Sequence, residues 1–293
     1  MSHNPRNTEG IVLMLLATLM FSSMDAVARG LVRDYPPLMA IWARYLGQSL
    51  IVMAWGMATY GRSLPRLLVT RRPGMQAARS ALQLGTTSFF FASLAVMGLA
   101  ESTALTDISP VLITLGAGLF LGERLGPRRL MAVLAALVGA LIIIRPGAEV
   151  FSPAALLPLA AASCYAGFAL VTRALGPTEH QATSLFYAAL FGTLVTTALL
   201  PFVWVTPKVT DLPAFAGLAV FGSAAQLFLT RAFSRAEASA IAPFVYSGIL
   251  FAMGFGMIFY DEWPDRWTVT GALVIVTAGL YVWHRETRMR KDA

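Results

Sequence analysis

Long apolar runs alternate with short polar or Pro/Gly-rich breaks along the whole chain. The runs predict helices at roughly 11–31, 36–58, 74–97, 103–121, 128–145, 153–173, 181–204, 211–231, 239–259 and 267–284. Asp34-Tyr35-Pro36-Pro37 separates the first two, and Arg62 to Pro73 the second and third. Gly122-Glu123-Arg124 separates the fourth and fifth, and Arg145-Pro146-Gly147 closes the fifth. Most runs approach the ~20 residues a helix needs to cross the hydrocarbon core, and they are too continuous for tilted strands of about 10 residues. The first run carries Asp25 and Arg29 and shows no clear small-x-small cleavage pattern, so it is read as a span, not a cleaved signal peptide.

Composition removes the soluble alternative. Of 293 residues, 57% are hydrophobic and 13% charged, against about 45–50% apolar and ~25% charged in globular proteins. The net charge of +7 does not point to nucleic acid, because the basic residues sit between the apolar runs and form no continuous phosphate-binding face. With the N-terminus on one side, 15 Lys and Arg fall on that side and 5 on the other; Arg44 and Arg79 lie inside runs. This bias puts both termini in the cytoplasm, which an even number of helices permits.

The chain repeats itself. Ala100-Glu101-Ser102-Thr103-Ala104-Leu105 returns as Ala236-Glu237-Ala238-Ser239-Ala240-Ile241, and Gly116 and Gly118 return as Gly254 and Gly256. Arg29 with Leu31 matches Arg173 with Leu175. Residues 1–147 and 148–293 therefore form two five-helix units. An odd helix number inverts the second unit, and the charges follow. The turn holding Arg124, Arg128 and Arg129 is basic, whereas its counterpart holding Asp261, Glu262 and Asp265 is acidic. The expected fold class is an all-α integral membrane protein of ten transmembrane helices in two inverted repeats. Such repeats build secondary transporters, with the substrate near the midplane between the halves.

The duplicated five-helix unit, the alanine-rich start of the fourth helix, Pro110 and the Gly-Glu-Arg turn resemble the EamA branch of the drug/metabolite transporter superfamily. Within it the chain looks most like the YddG-type amino-acid exporters of bacterial inner membranes. The resemblance implies ten helices around a central cavity and export of amino acids and related small metabolites. In the second half Ile249 stands where Pro110 stands in the first, and Pro243 lies earlier, so the ninth helix need not repeat the kink of the fourth.

Ionisable groups inside a span are expensive and mark functional candidates. Asp25, Arg44 and Asp107 share a depth toward the outer end of their helices, which suggests a charge pair and a gating or coupling role. Arg79, near the cytoplasmic end of the third helix, is placed to snorkel. Polar and aromatic groups at mid-depth are Ser22, Ser23, Gln83, Thr86, Thr87, Ser163, Tyr165, Gln226, Tyr246 and Ser247. Hydroxyls, amides and rings suit a zwitterion, so Gln83, Tyr246, Ser247, Tyr165, Ser22, Ser23 and Gln226 form the expected substrate site. The same groups also serve to join helices to one another. Pro110 and Pro243 are expected hinges or bends, since each removes a helical bond.

Enzyme chemistry finds no support. HExxH, GxSxG and GxxxxGK[ST] are absent, and the only lysines, Lys208 and Lys291, lie outside the spans. Cys164 is the one cysteine, and His3, His180 and His284 are too scattered for a metal. No cofactor and no nucleic-acid partner is expected, and the chain is a monomer or a homodimer. The competing functions are multidrug or cation efflux and, from another class, an intramembrane enzyme or lipid-handling protein.

Overall fold

The computed structural model describes residues 5–61, 69–120, 127–144, 153–175, 181–236 and 241–291. The described residues are mostly helical, with no strand among them. Helices α1 (Pro5–Asp34), α2 (Pro37–Tyr60) and α3 (Pro73–Val96) are followed by two short ones, α4 (Leu99–Thr106) and α5 (Ser109–Phe120). Then come α6 (Pro127–Ile144), α7 (Leu156–Leu175), α8 (Gln181–Leu199), α9 (Leu212–Arg235), α10 (Ser247–Tyr260) and α11 (Arg266–Lys291). Proline opens α2 and α3 from within the first turn, where its missing N–H has no helical role and its fixed φ suits the helix. Gly61 ends α2 at φ 49°, a left-handed conformation that costs glycine nothing.

Three expectations change in detail. The fourth helix is not continuous over 103–121: it breaks at Asp107 and Ile108 into α4 and α5. The Pro110 ring clashes with the carbonyl four residues back, so α-helix cannot run through Thr106 into α5. The ninth begins as a 3₁₀ segment, Ala242–Tyr246, before α10. The ninth run is thus interrupted as well, although Ile249 stands where the first half has Pro110. The seventh ends at Leu199, since Pro201 turns the chain into a short 3₁₀ piece, Leu200–Phe202. The boundary at 147 and 148 and the Glu123 turn lie outside the described residues.

Among the described residues, five segments are long and apolar enough to span a bilayer: Thr8–Asp34, Leu99–Phe120, Pro153–Leu175, Thr183–Phe202 and Val209–Ala232. Large apolar side chains also point outward, among them Leu50, Phe120, Leu194, Leu250 and Ile258. Water would make such a surface an aggregation site, whereas lipid tails are as apolar as the leucines.

The helices pair across the two halves. α1 lies along α9, α3 along α7, α2 along α8 and α6 along α11, with α10 against α1 and α5 against α7. Close approach relies on missing side chains at the α6–α11 crossing. A Cβ on Gly139 would stand 2.9 Å from the Gly271 carbonyl oxygen. Between α2 and α8, Ser49 and Thr193 share a hydroxyl hydrogen bond of 2.8 Å, and Trp42 donates to Thr197 at 3.0 Å.

Hydrogen bonds define the two ends. At one end Glu262 joins the α10–α11 turn to Arg29 and Arg33 of α1 and to the first amide of α4. There too, Tyr35 before α2 donates to Asp211 before α9 at 2.6 Å. At the opposite end Arg79, early in α3, donates to Thr172 late in α7 and to the Ser184 carbonyl early in α8. These are called below the Glu262 end and the Arg79 end.

Candidate functional site

Three helices and the two breaks bring charged and aromatic groups within reach of one another between the two ends. Asp25 of α1 lies within electrostatic reach of Arg44 of α2. Asp107, at the α4–α5 break, feels the charge of Asp25, and Tyr165 of α7 and Tyr246 before α10 both feel that of Asp107. None of the five is sealed from solvent, and Tyr165 is 42% exposed. These groups, on separate helices and each keeping accessible surface, are taken together as the candidate cleft.

Arg44 places the level of this cleft. Its Nη1 donates to Thr87 Oγ1 at 2.7 Å, and Thr87 lies roughly 12 Å from Arg79 along α3 at ~1.5 Å per residue. Arg44 also sits beside the rings of Tyr45 and Phe91, 5.6 and 6.0 Å from their centroids. The expected direct ion pair is not formed: no aspartate lies within 4 Å of Arg44 among the described residues. Its Nε is buried without a hydrogen-bond partner, and Gly222 leaves the room beside it, where an added Cβ would meet Nε at 3.7 Å. Asp25 lies one turn before Arg29 of the Glu262 cluster, and Arg44 about two turns into α2, so these charges keep toward the Glu262 end.

Gln83, one turn before Thr87 on α3, buries its side-chain carbonyl oxygen without a donor. A buried acceptor left open costs about 1–3 kcal/mol, so it is a place for a ligand N–H. The other expected binding residues separate from this group. Ser247 shares a 2.8 Å hydrogen bond with Thr18, and Ser22 donates to the Gly248 carbonyl at 3.2 Å; both join α1 to α10. Ser23, Thr86 and Ser163 donate to carbonyls of their own helices. No hydrogen bond links the Gln226 side chain to the cleft among the described residues. Pro110 sits at the second position of α5, and Pro243 within the 3₁₀ segment before α10.

The Glu262 cluster was not among the candidates. Asp261 takes a left-handed conformation, φ 53°, which aspartate tolerates better than most residues. The turn lets the Glu262 amide bond back to the Gly256 carbonyl at 3.0 Å. One carboxylate oxygen then receives Arg29 Nε at 2.8 Å, Arg29 Nη2 at 2.5 Å and Arg33 Nη2 at 3.1 Å. The other receives the Leu99 amide at 2.9 Å. Arg29 also donates to the Leu94 carbonyl, and Tyr260 to that of Ala26. A single carboxylate thus clasps α1, α4 and the α10–α11 turn. The signal was present as two arginines one turn apart at the end of the first helix and an acidic turn on the same side.

Comparisons with known proteins agree on one family. The model of the EamA-like transporter family matches twice, over residues 8–145 and 152–283. A pseudopaline exporter of Pseudomonas aeruginosa is 31% identical over 92% of this chain and 94% of its own. A riboflavin transporter of Rhizobium johnstonii is 29% identical over 98% and 94%. An S-adenosylmethionine uptake transporter of Rickettsia bellii is 26% identical over 95% and 94%. These relatives carry different metabolites, so the narrower likeness to YddG-type amino-acid exporters does not stand out. A crystal structure 17% identical in sequence superposes with a TM-score of 0.66 over 96% of this chain and 99% of that one, which supports the fold.

Proposed function

Because the chain belongs to the EamA-like transporter family and is a membrane transporter, we propose that it exports amino acids and related small metabolites across a bacterial inner membrane by alternating access. The observation that carries this reading is the cleft. Asp25 and Asp107 offer carboxylates to an ammonium group, and the open Gln83 oxygen offers a further acceptor. Arg44 offers its free Nε to a carboxylate, and Tyr165 and Tyr246 supply a wall for the side chain. Binding a zwitterion between opposite charges replaces the hydration that it gives up.

The architecture proposed for this transport is two inverted five-helix units. Three findings support it. The family model matches two stretches in succession. Exchanging the halves turns the α1–α9 pair into the α7–α3 pair and leaves α2–α8 and α6–α11 as themselves. Ser49 and Thr193, which bond to each other, differ by 144 residues, as do Arg29 and Arg173. With both termini in the cytoplasm, the Glu262 end faces outward, and its clasp is the outer gate in its closed form.

Counterflow in proteoliposomes tests the proposal. Liposomes preloaded with an unlabelled amino acid are expected to accumulate the same labelled amino acid, for at least some members of a panel of twenty, with and without a pH gradient. Failure across the whole panel would reject amino acids as the cargo. Two carboxylates against one arginine also favour a second reading, efflux of organic cations. Accumulation of labelled tetraphenylphosphonium without any amino-acid counterflow would select it.

A further inference from the structure

We propose that Arg79 forms a second anion subsite, in a vestibule between the Arg79 end and the central cleft, where it receives the carboxylate of an incoming substrate. The inference rests on the export reading above and adds an approach step to it. Arg79 is 8% exposed, and no carboxylate lies within 4 Å of it among the described residues. Of the five N–H groups of a guanidinium, Nε donates to Thr172 Oγ1 at 2.8 Å and Nη1 to the Ser184 carbonyl at 3.1 Å. Phe168 supports the ion, its ring centroid 4.5 Å from Cζ. Three N–H groups remain without a protein acceptor among the described residues. They form a planar fork of the kind that holds a carboxylate.

The surroundings give this fork a direction. Tyr165, Phe168 and Thr172 stand on one face of α7 at helical spacing. Tyr165 belongs to the central cleft, near Asp107, and Thr172 carries the Arg79 contact. Both are exposed, and Phe168 between them is partly buried beneath Arg79. Gln76, fully buried one turn before Ser80, donates to Ser184 at 3.0 Å and leaves its own carbonyl oxygen unpaired. A ligand N–H is the complement of that oxygen, as a carboxylate is of Arg79. The subsite is therefore built for an oxyanion with an adjacent donor. The Glu262 clasp shuts the far end, so this vestibule is the approach to the cleft.

The test reads local potential and needs no transport. Cys164→Ala with Ala169→Cys puts one thiol on the same face of α7, between Phe168 and Thr172. In phosphatidylcholine nanodiscs its reaction rates with an anionic and a cationic methanethiosulfonate are compared, each normalised to the same reagents on Val209→Cys. A free guanidinium within a few ångströms should favour the anionic reagent roughly tenfold. Arg79→Gln should bring the ratio to near one, and Arg79→Lys should keep most of it, which separates lost charge from misfolding. A ratio unmoved by Arg79→Gln overturns the proposal. Phosphatidylglycerol should leave the ratio intact; its collapse there would assign the fork to a lipid phosphate and also overturn it. Added 3-phenylpropionate should slow the anionic reagent where phenethylamine does not, and equal effects of the two overturn the carboxylate assignment. Failure of the amino-acid counterflow leaves all these readings intact.

Discussion

A buried polar atom without a partner and a buried polar atom with one predict opposite phenotypes. Gln83 holds an open acceptor at the cleft, whereas the Ser247 hydroxyl is spent on Thr18. We expect Gln83→Ala to weaken substrate binding roughly five- to tenfold, the loss of about one hydrogen bond, with an unchanged melting temperature. Ser247→Ala should do the reverse: it removes a bond worth about 0.6 kcal/mol between α1 and α10, lowers thermal stability slightly and leaves apparent affinity alone. Competition assays and thermal unfolding of both variants check the contrast. Both residues looked alike in the sequence, as polar groups at mid-depth. Which one meets a neighbouring helix depends on how α1 rotates against α10, and periodicity along one helix does not encode that. That Arg44 needs polar or aromatic partners was legible because a guanidinium inside an apolar run is costly wherever it points. Its partner was not, because Thr87 competes for it as well as Asp25 does.

At the scale of elements, most helices could be read from the apolar runs, and the departures have local causes. The runs could not show the α4–α5 break, since Thr106-Asp107-Ile108-Ser109 is no less helix-compatible than its flanks. Only Pro110 hints at it, as Pro243 does at the 3₁₀ segment before α10. The break has a consequence for the site, because it holds Asp107 within electrostatic reach of Asp25 and the two tyrosines. Pro110→Ala restores the amide that can bond to the Thr106 carbonyl and lets α4 run into α5. Rotating the carboxylate out of place should lower transport on the order of tenfold or more, since a displacement near 1 Å at a site can cost that much. The protein should still fold and assemble in the membrane. Flux per folded transporter, with folding followed by size-exclusion profile, is the measurement. Unaltered flux would show that Asp107 does not need the interruption to reach the cleft.

Across the whole molecule, one carboxylate closes one end while an uncompensated guanidinium stands at the other. This asymmetry matters only with a direction, and the charge bias supplies it. Fifteen basic residues fall on the side of the N-terminus against five on the opposite side, and on that bias we propose that the Arg79 end faces the cytoplasm. Thr8 lies exposed near the start of α1, and Val209 is 82% exposed at the start of α9, where Tyr35 and Asp211 meet. They therefore mark opposite faces of the membrane. In intact cells carrying Cys164→Ala, an impermeant maleimide should label Val209→Cys and spare Thr8→Cys until the membrane is permeabilised. Labelling of Thr8→Cys from outside would reverse the orientation. The Glu262 clasp would then become an inner gate, and the vestibule at Arg79 would receive substrate from the external medium, turning the proposed exporter into an importer with the same site.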